Sequence, residues 1–105
     1  MSWFTAKKRE SINEAVERCR STPGALLLDV READEYAGGH IPGSVNLPLS
    51  RLSDVDQLAE SFEQPLFLYC LSGARSGQAE ALLRREGYEK AESIGGINRW
   101  RGPVE

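Results

Sequence analysis

Ala25-Leu26-Leu27-Leu28-Asp29-Val30 is a nearly unbroken apolar run that opens after a Pro23-Gly24 turn. A strand with one wet face alternates apolar and polar residues, and this run does not. It reads as a strand buried on both faces, the pattern of a parallel sheet covered by helices. A second apolar run of strand character, Leu66–Cys70, follows the break at Gln64-Pro65. Val45-Asn46-Leu47, stopped by Pro48, and Ala91-Glu92-Ser93-Ile94 are shorter strand segments.

Helical patterns separate these strands. Ser11-Ile12-Asn13-Glu14 fits a capping box, in which hydroxyl and carboxylate each satisfy a free amide, and Ile12, Ala15, Val16 and Cys19 continue as one stripe. Glu32 to Tyr36 predicts a single helical turn closed by Gly38-Gly39. Leu52, Val55, Leu58, Ala59 and Phe62 predict a helix between Leu49 and Phe62, capped by Ser50 or Ser53. A helix starting near Ser76 carries Ala79, Leu82 and Leu83 and stops at Gly87, and a last helical piece holds Ile97 and Trp100. Strands alternating with helices predict an α/β fold with a mainly parallel central sheet flanked by helices on both faces, and residues 1–105 read as one domain.

The chain has 13 basic and 16 acidic residues, a net charge of -3. That balance argues against nucleic-acid binding, which needs a clustered basic face. Lys7-Lys8-Arg9 is too short a run to supply one, and Trp3 nearby is expected to be either exposed or docked. No apolar run reaches the roughly 20 residues of a bilayer span, and Met1 to Lys7 has no secretory character. A cytoplasmic address with no membrane partner is expected. Cys19 and Cys70 are expected to stay reduced, and Cys19 to pack as a small hydrophobe on its helical stripe. One histidine and no Cys-x-x-Cys leave no metal-ligand cluster.

The chemistry gathers at Cys70-Leu71-Ser72-Gly73-Ala74-Arg75-Ser76, where a strand ends in a cysteine before a small-residue loop and a helix start. Reactive groups of an open α/β sheet lie beyond the carboxyl ends of its strands. If the loop curls, backbone amides from Leu71 to Ser76 form an anion nest, and the helix adds its positive end. A thiol with an ordinary pKa near 8.5 then becomes a thiolate more readily. Gly73 permits an unusual φ, Ala74 keeps the rim small, and Arg75 offers forked donors to an oxyanion.

Four segments in order resemble the rhodanese family of sulfurtransferase modules. Leu28-Asp29-Val30-Arg31-Glu32 is similar to its first signature, and Gly39-His40-Ile41-Pro42-Gly43-Ser44-Val45-Asn46 to its second. Cys70–Ser76 is similar to its active loop, and Gly95-Gly96-Ile97-Asn98-Arg99-Trp100 to its C-terminal motif, where Ile97 stands in place of a frequent aromatic, a change expected to affect packing only. The resemblance implies that Cys70 takes a sulfane sulfur from a donor such as thiosulfate, forms a persulfide, and passes the sulfur to a thiol or cyanide, with no metal or organic cofactor. A protein sulfur donor or acceptor is a further partner class. Leu71, Ser72, Gly73, Ala74, Arg75 and Ser76 would bind the substrate.

Asp29, Arg31 and His40 are candidates for the pocket rim. The favoured reading of Asp29 and Arg31 is a structural pair that orders the turn with Glu35, and that of His40 is a structural hydrogen bond. Arg75 is expected to hold the anionic donor, with a salt bridge to a nearby carboxylate as its rival. Trp100 is expected in the core or the pocket wall. Rival functions are a persulfide carrier or regulatory binding module with a protein partner, and a cysteine-dependent phosphatase or arsenate reductase. The last class uses Cys-x5-Arg around a tetrahedral anion, whereas Cys70 to Arg75 counts Cys-x4-Arg, a tighter cradle suited to one sulfur atom.

Overall fold

The computed structural model describes residues 10–105, so the readings of Trp3 and of Lys7-Lys8-Arg9 lie outside the described residues. Four strands, β1 (Leu26–Asp29), β2 (Val45–Asn46), β3 (Leu66–Cys70) and β4 (Ala91–Gly96), form one sheet in the order β2-β1-β3-β4. Every neighbouring pair is parallel, with Leu28 opposite Leu68 and Asp29 opposite Tyr69. All four strands therefore finish at the same edge, and the segments that follow them meet there.

Because successive side chains on a strand point to opposite faces, the unbroken apolar runs supply two cores. On one side Leu28, Leu66, Leu68 and Cys70 pack with Leu52, Val55, Ala79 and Leu83. On the other, Leu27, Phe67 and Tyr69 pack with Ile12, Val16, Cys19 and Ile41. Helix α1 (Ile12–Arg20) covers the second side, and helix α3 (Ala74–Arg85) the first, as the two-sided burial of β1 and β3 requires. Each fully buried leucine contributes about 1.5–3 kcal/mol relative to an exposed one. Cys19 and Cys70 are both free thiols and belong to opposite cores.

Helix α1 opens with the expected capping box: the Glu14 amide donates to Ser11 Oγ at 3.0 Å, and the Ser11 amide to Glu14 Oε1 at 2.9 Å. Helix α2 (Ala33–Ala37) is the short turn expected before Gly38-Gly39. Gly87 takes φ +113 at the end of α3. Ile97 is partly buried and, like Ala25 and Trp100, packs against the core under α1.

The segment after β2 differs from expectation. Leu49–Gln57 is a 3₁₀ helix bent at Arg51, and neither Ser50 nor Ser53 caps it; Pro48 precedes it, and Ser50 Oγ instead donates to the Glu32 carboxylate. Leu52, Val55 and Leu58 recur every third residue, which suits three residues per turn as well as 3.6. Phe62 lies beyond this helix, is 54% exposed, and rests its ring against Tyr88. Helix α3 begins at Ala74, earlier than the expected start near Ser76.

Candidate active site

Cys70 is the last residue of β3, and only Leu71, Ser72 and Gly73 separate it from α3. The loop curls back on the sulfur. Cys70 Sγ accepts hydrogen bonds from the Gly73 amide at 3.0 Å and the Ser76 amide at 3.3 Å, and the Ser76 hydroxyl lies 3.6 Å away. These amides belong to the start of α3, where backbone N–H groups lack helical acceptors and the helix dipole is positive. Gly73 takes φ +105, a left-handed value that suits glycine, and so brings its amide round to the sulfur.

Burial pushes the Cys70 thiol up, since a charged sulfur loses water there. The Ser76 hydroxyl and the amides of Ser76, Gly73 and Ser72 outweigh this and hold the thiol below its ordinary value. Among the described residues Cys19 has no such donors; burial raises it to about 11. The two cysteines of one small domain thus sit on opposite sides of an ordinary thiol.

The C-terminal glycine pair forms a wall of the site. A Cβ on Gly96 would stand 2.2 Å from the Leu71 carbonyl oxygen and 2.6 Å from Ser72 Cα. The loop therefore packs backbone to backbone on β4, and the Asn98 amide donates to the Leu71 carbonyl at 3.1 Å. Gly73 and Gly95 also lie close together, 3.5 Å from a Cβ built on Gly73 to Gly95 Cα.

Arg75 projects toward α2 and forms a forked pair with Glu35, at 2.7 and 3.0 Å. Arg75, with the Glu32 amide's help, holds the Glu35 carboxyl down to about 2, and Arg75 is raised in turn. Asp29 and Arg31 make a separate buried pair: Arg31 Nη2 donates to Asp29 Oδ2 at 2.7 Å and to the Gly39 carbonyl at 2.7 Å. Bonding to Asp29 outweighs burial and raises Arg31. The turn after β1 is ordered by this pair as the sequence suggests, while Glu35, expected as its third member, binds Arg75 instead.

His40 donates from Nδ1 to the Tyr36 carbonyl at 2.9 Å and stacks on the Tyr36 ring, centroids 3.7 Å apart. The second signature is tied to β3 through Tyr69, whose hydroxyl accepts from the Ile41 amide at 3.0 Å and bonds Ser44 Oγ at 2.9 Å. Trp100 is half-buried, and its Nε1 donates to the Pro103 carbonyl at 2.9 Å. Among the described residues, no three His, Cys, Asp or Glu side chains converge as a metal site would need.

A family description, Rhodanese-like domain, matches residues 11–102. The chain belongs to the rhodanese-like domain family. Bacillus subtilis YqhL, an uncharacterized protein, is 39% identical over 82 residues, which cover 77% of this chain and 64% of the relative. The putative sulfur carrier protein YrkF of Bacillus subtilis is 36% identical over 97 residues, covering 90% of this chain and 51% of the relative. The chain thus spans less than two thirds of either. Thiosulfate sulfurtransferase GlpE of Pseudomonas savastanoi is 37% identical, with 74% of each chain covered. Among solved structures, a rhodanese with anions from E. coli matches with a TM-score of 0.71 at 28% identity, covering 77% of this chain and 96% of that one. Its rhodanese-like relatives thus include named sulfurtransferases and a putative sulfur carrier. No helix among the described residues is long and apolar enough to cross a membrane.

Of two contributors from β4, Gly96 lies in the C-terminal motif the sequence singled out, whereas Ser93 carries no signal in the sequence. Ser93 reaches Ser76 from β4, Oγ to Oγ at 2.8 Å, and Gly96 provides the clearance for Leu71. Ser93 pairs with Leu68 ahead of a register shift, and Gly96 with Cys70 after it.

Proposed function

We propose that this domain is a sulfurtransferase whose nucleophile is Cys70. The observation that carries the reading is the cradle around Sγ, three donors that stabilise negative charge on a buried sulfur. The Cys70 thiolate attacks the outer sulfur of a sulfane donor such as thiosulfate. A sulfur–sulfur bond forms to Cys70, the donor's own sulfur–sulfur bond breaks, and sulfite leaves with the electron pair. A thiolate or cyanide acceptor then attacks the outer sulfur of the persulfide and returns Cys70 as thiolate. This is covalent catalysis in two displacements, for which ping-pong kinetics are expected. No metal or organic cofactor enters either step. Leu71, Ser72, Gly73, Ala74, Arg75 and Ser76 surround the incoming sulfur, while Asp29, Arg31 and His40 frame the turns beside it.

One observation favours a second reading, that Cys70 receives its sulfur from a protein persulfide. Both terminal nitrogens of Arg75 are engaged by Glu35, so a free dianion meets a neutralised guanidinium. Intact mass after incubation with thiosulfate tests the proposal. Wild type gains one sulfur atom, about 32 Da, and Cys70→Ser gains none. Absence of the adduct with thiosulfate and with a protein persulfide, together with turnover of an aryl phosphate, overturns sulfur transfer in favour of a phosphatase.

A further inference from the structure

We propose that Ser93, on β4, is a positioning residue for the Cys70 thiolate and acts through the hydroxyl of Ser76; the inference rests on the reading of Cys70 as nucleophile. Ser76 is fully buried, and among the described residues its Oγ has four polar neighbours: Cys70 Sγ at 3.6 Å, Ser93 Oγ at 2.8 Å, the Gly73 carbonyl at 3.2 Å and the Gly95 carbonyl at 3.4 Å. A hydroxyl has one hydrogen to give and two lone pairs to fill. Both carbonyls can only accept, so they compete with the sulfur for the single Ser76 hydrogen. Once Cys70 has lost its proton, Ser93 is the neighbour among these four that can donate to Ser76.

Two arrangements follow from this geometry. With Cys70 protonated, Sγ–H donates to Ser76 Oγ and Ser76 O–H donates to Ser93 Oγ. On ionisation the thiol hydrogen passes to Ser76, the Ser76 hydrogen to Ser93, and the Ser93 hydrogen to solvent. One proton leaves, and both hydroxyls end up pointing toward the sulfur. Ser93 is placed for this exit, because it lines an open groove with Ser72, Gly73 and Gly95. Its backbone is anchored by its amide, which donates to Glu80 Oε1 of α3 at 2.7 Å. A hydroxyl that accepts one hydrogen bond donates more strongly to the next partner.

Near the sulfur, Arg75 of α3 is held by Glu35 of α2, and Asp29 is paired with Arg31 at the end of β1. Beside Ser93, Glu80 lies 3.9 Å from Arg84 on α3, Arg18 of α1 is shared by Glu92 of β4 and Glu10, and Glu10 and Glu14 line the same groove. Those carboxylates are unchanged in the variants below, so the hydroxyl chain is the donor that differs.

Ser93→Val and Ser93→Thr test the proposal, since the two side chains share a shape and differ in the hydroxyl. The ultraviolet absorbance of the thiolate is followed against pH in the folded protein with no sulfur donor present, and Cys70→Ser is subtracted. Ser93→Val titrates on the alkaline side of wild type, with the thiolate-to-thiol ratio at a given pH reduced about threefold. Ser93→Thr titrates like wild type. If Val and Thr variants titrate together, Ser93 does not act through Ser76 and the proposal is overturned. Should Ser93→Val not fold, Ser93→Ala takes its place against Ser93→Thr, and coincident titrations of that pair overturn the proposal equally. Because the titration needs no donor, failure of persulfide formation in wild type counts against sulfur transfer alone.

Discussion

Replacing Gly96 by alanine sets a methyl carbon 2.2 Å from the Leu71 carbonyl oxygen and 2.6 Å from Leu71 C and Ser72 Cα. Ordinary contact begins at 3.4 Å, so the overlap with the carbonyl oxygen exceeds 1 Å, and every atom met is backbone. No side-chain rotation relieves it. Gly96 has φ -131, which alanine adopts readily, so the whole cost is steric. Overpacking of this kind costs about 1–3 kcal/mol. At roughly 4–8 °C per kcal/mol for a domain of this size, the melting temperature falls by about 4–24 °C. The larger effect is on chemistry. The displaced loop carries the Gly73 amide that bonds the sulfur, and a misplacement of about 1 Å can cost about 100-fold in rate. Persulfide formation per folded molecule is measured by mass against time. Gly95→Ala is the comparison: φ there is +112 and no described residue lies within 4 Å, so it meets backbone strain of about 1–3 kcal/mol and no clash with them. Gly96→Ala with wild-type stability and wild-type persulfide formation would refute the backbone-to-backbone packing argument.

Two further outcomes are expected. Tyr69→Phe leaves the buried Ile41 amide without its acceptor, which costs about 1–3 kcal/mol and appears as a lower urea midpoint, while the Cys70 titration stays in place because that hydroxyl does not touch Sγ. Glu35→Gln removes a carboxylate whose folded pKa is depressed to about 2 by Arg75. A depressed folded pKa means stability present above the ordinary carboxylate range and lost as pH falls through about 4.3 toward 2. Wild type is therefore the more stable at neutral pH, by about 1 kcal/mol or less for a pair still about a third exposed, and urea midpoints of the two proteins converge in acid.

The strands that hold the site were legible because burial on both faces leaves an unmistakable composition, seen in Leu26 to Asp29 and Leu66 to Cys70. The cradle was legible because its parts are contiguous: cysteine, small loop, helix start. Distance in sequence marks where legibility ended. Arg75 finds Glu35 across 40 residues, and nothing local to either announces the pair. Ser93 is one serine in a weak strand, and its meeting with Ser76 depends on β4 pairing with β3 so that Ser93 lies opposite Leu68. The Leu49–Gln57 helix shows the other limit, for apolar residues three apart serve a 3₁₀ and an α spiral equally.

The packing of the Cys70 loop on β4 also bears on when the thiol acquires its character. Translation delivers Cys70 before Ser93, Gly95, Gly96 and Asn98, the residues against which the loop is set. The donors that lower the Cys70 thiol, on Ser72, Gly73 and Ser76, are made with the loop itself, and the last strand then supplies the backbone surface on which that loop is set.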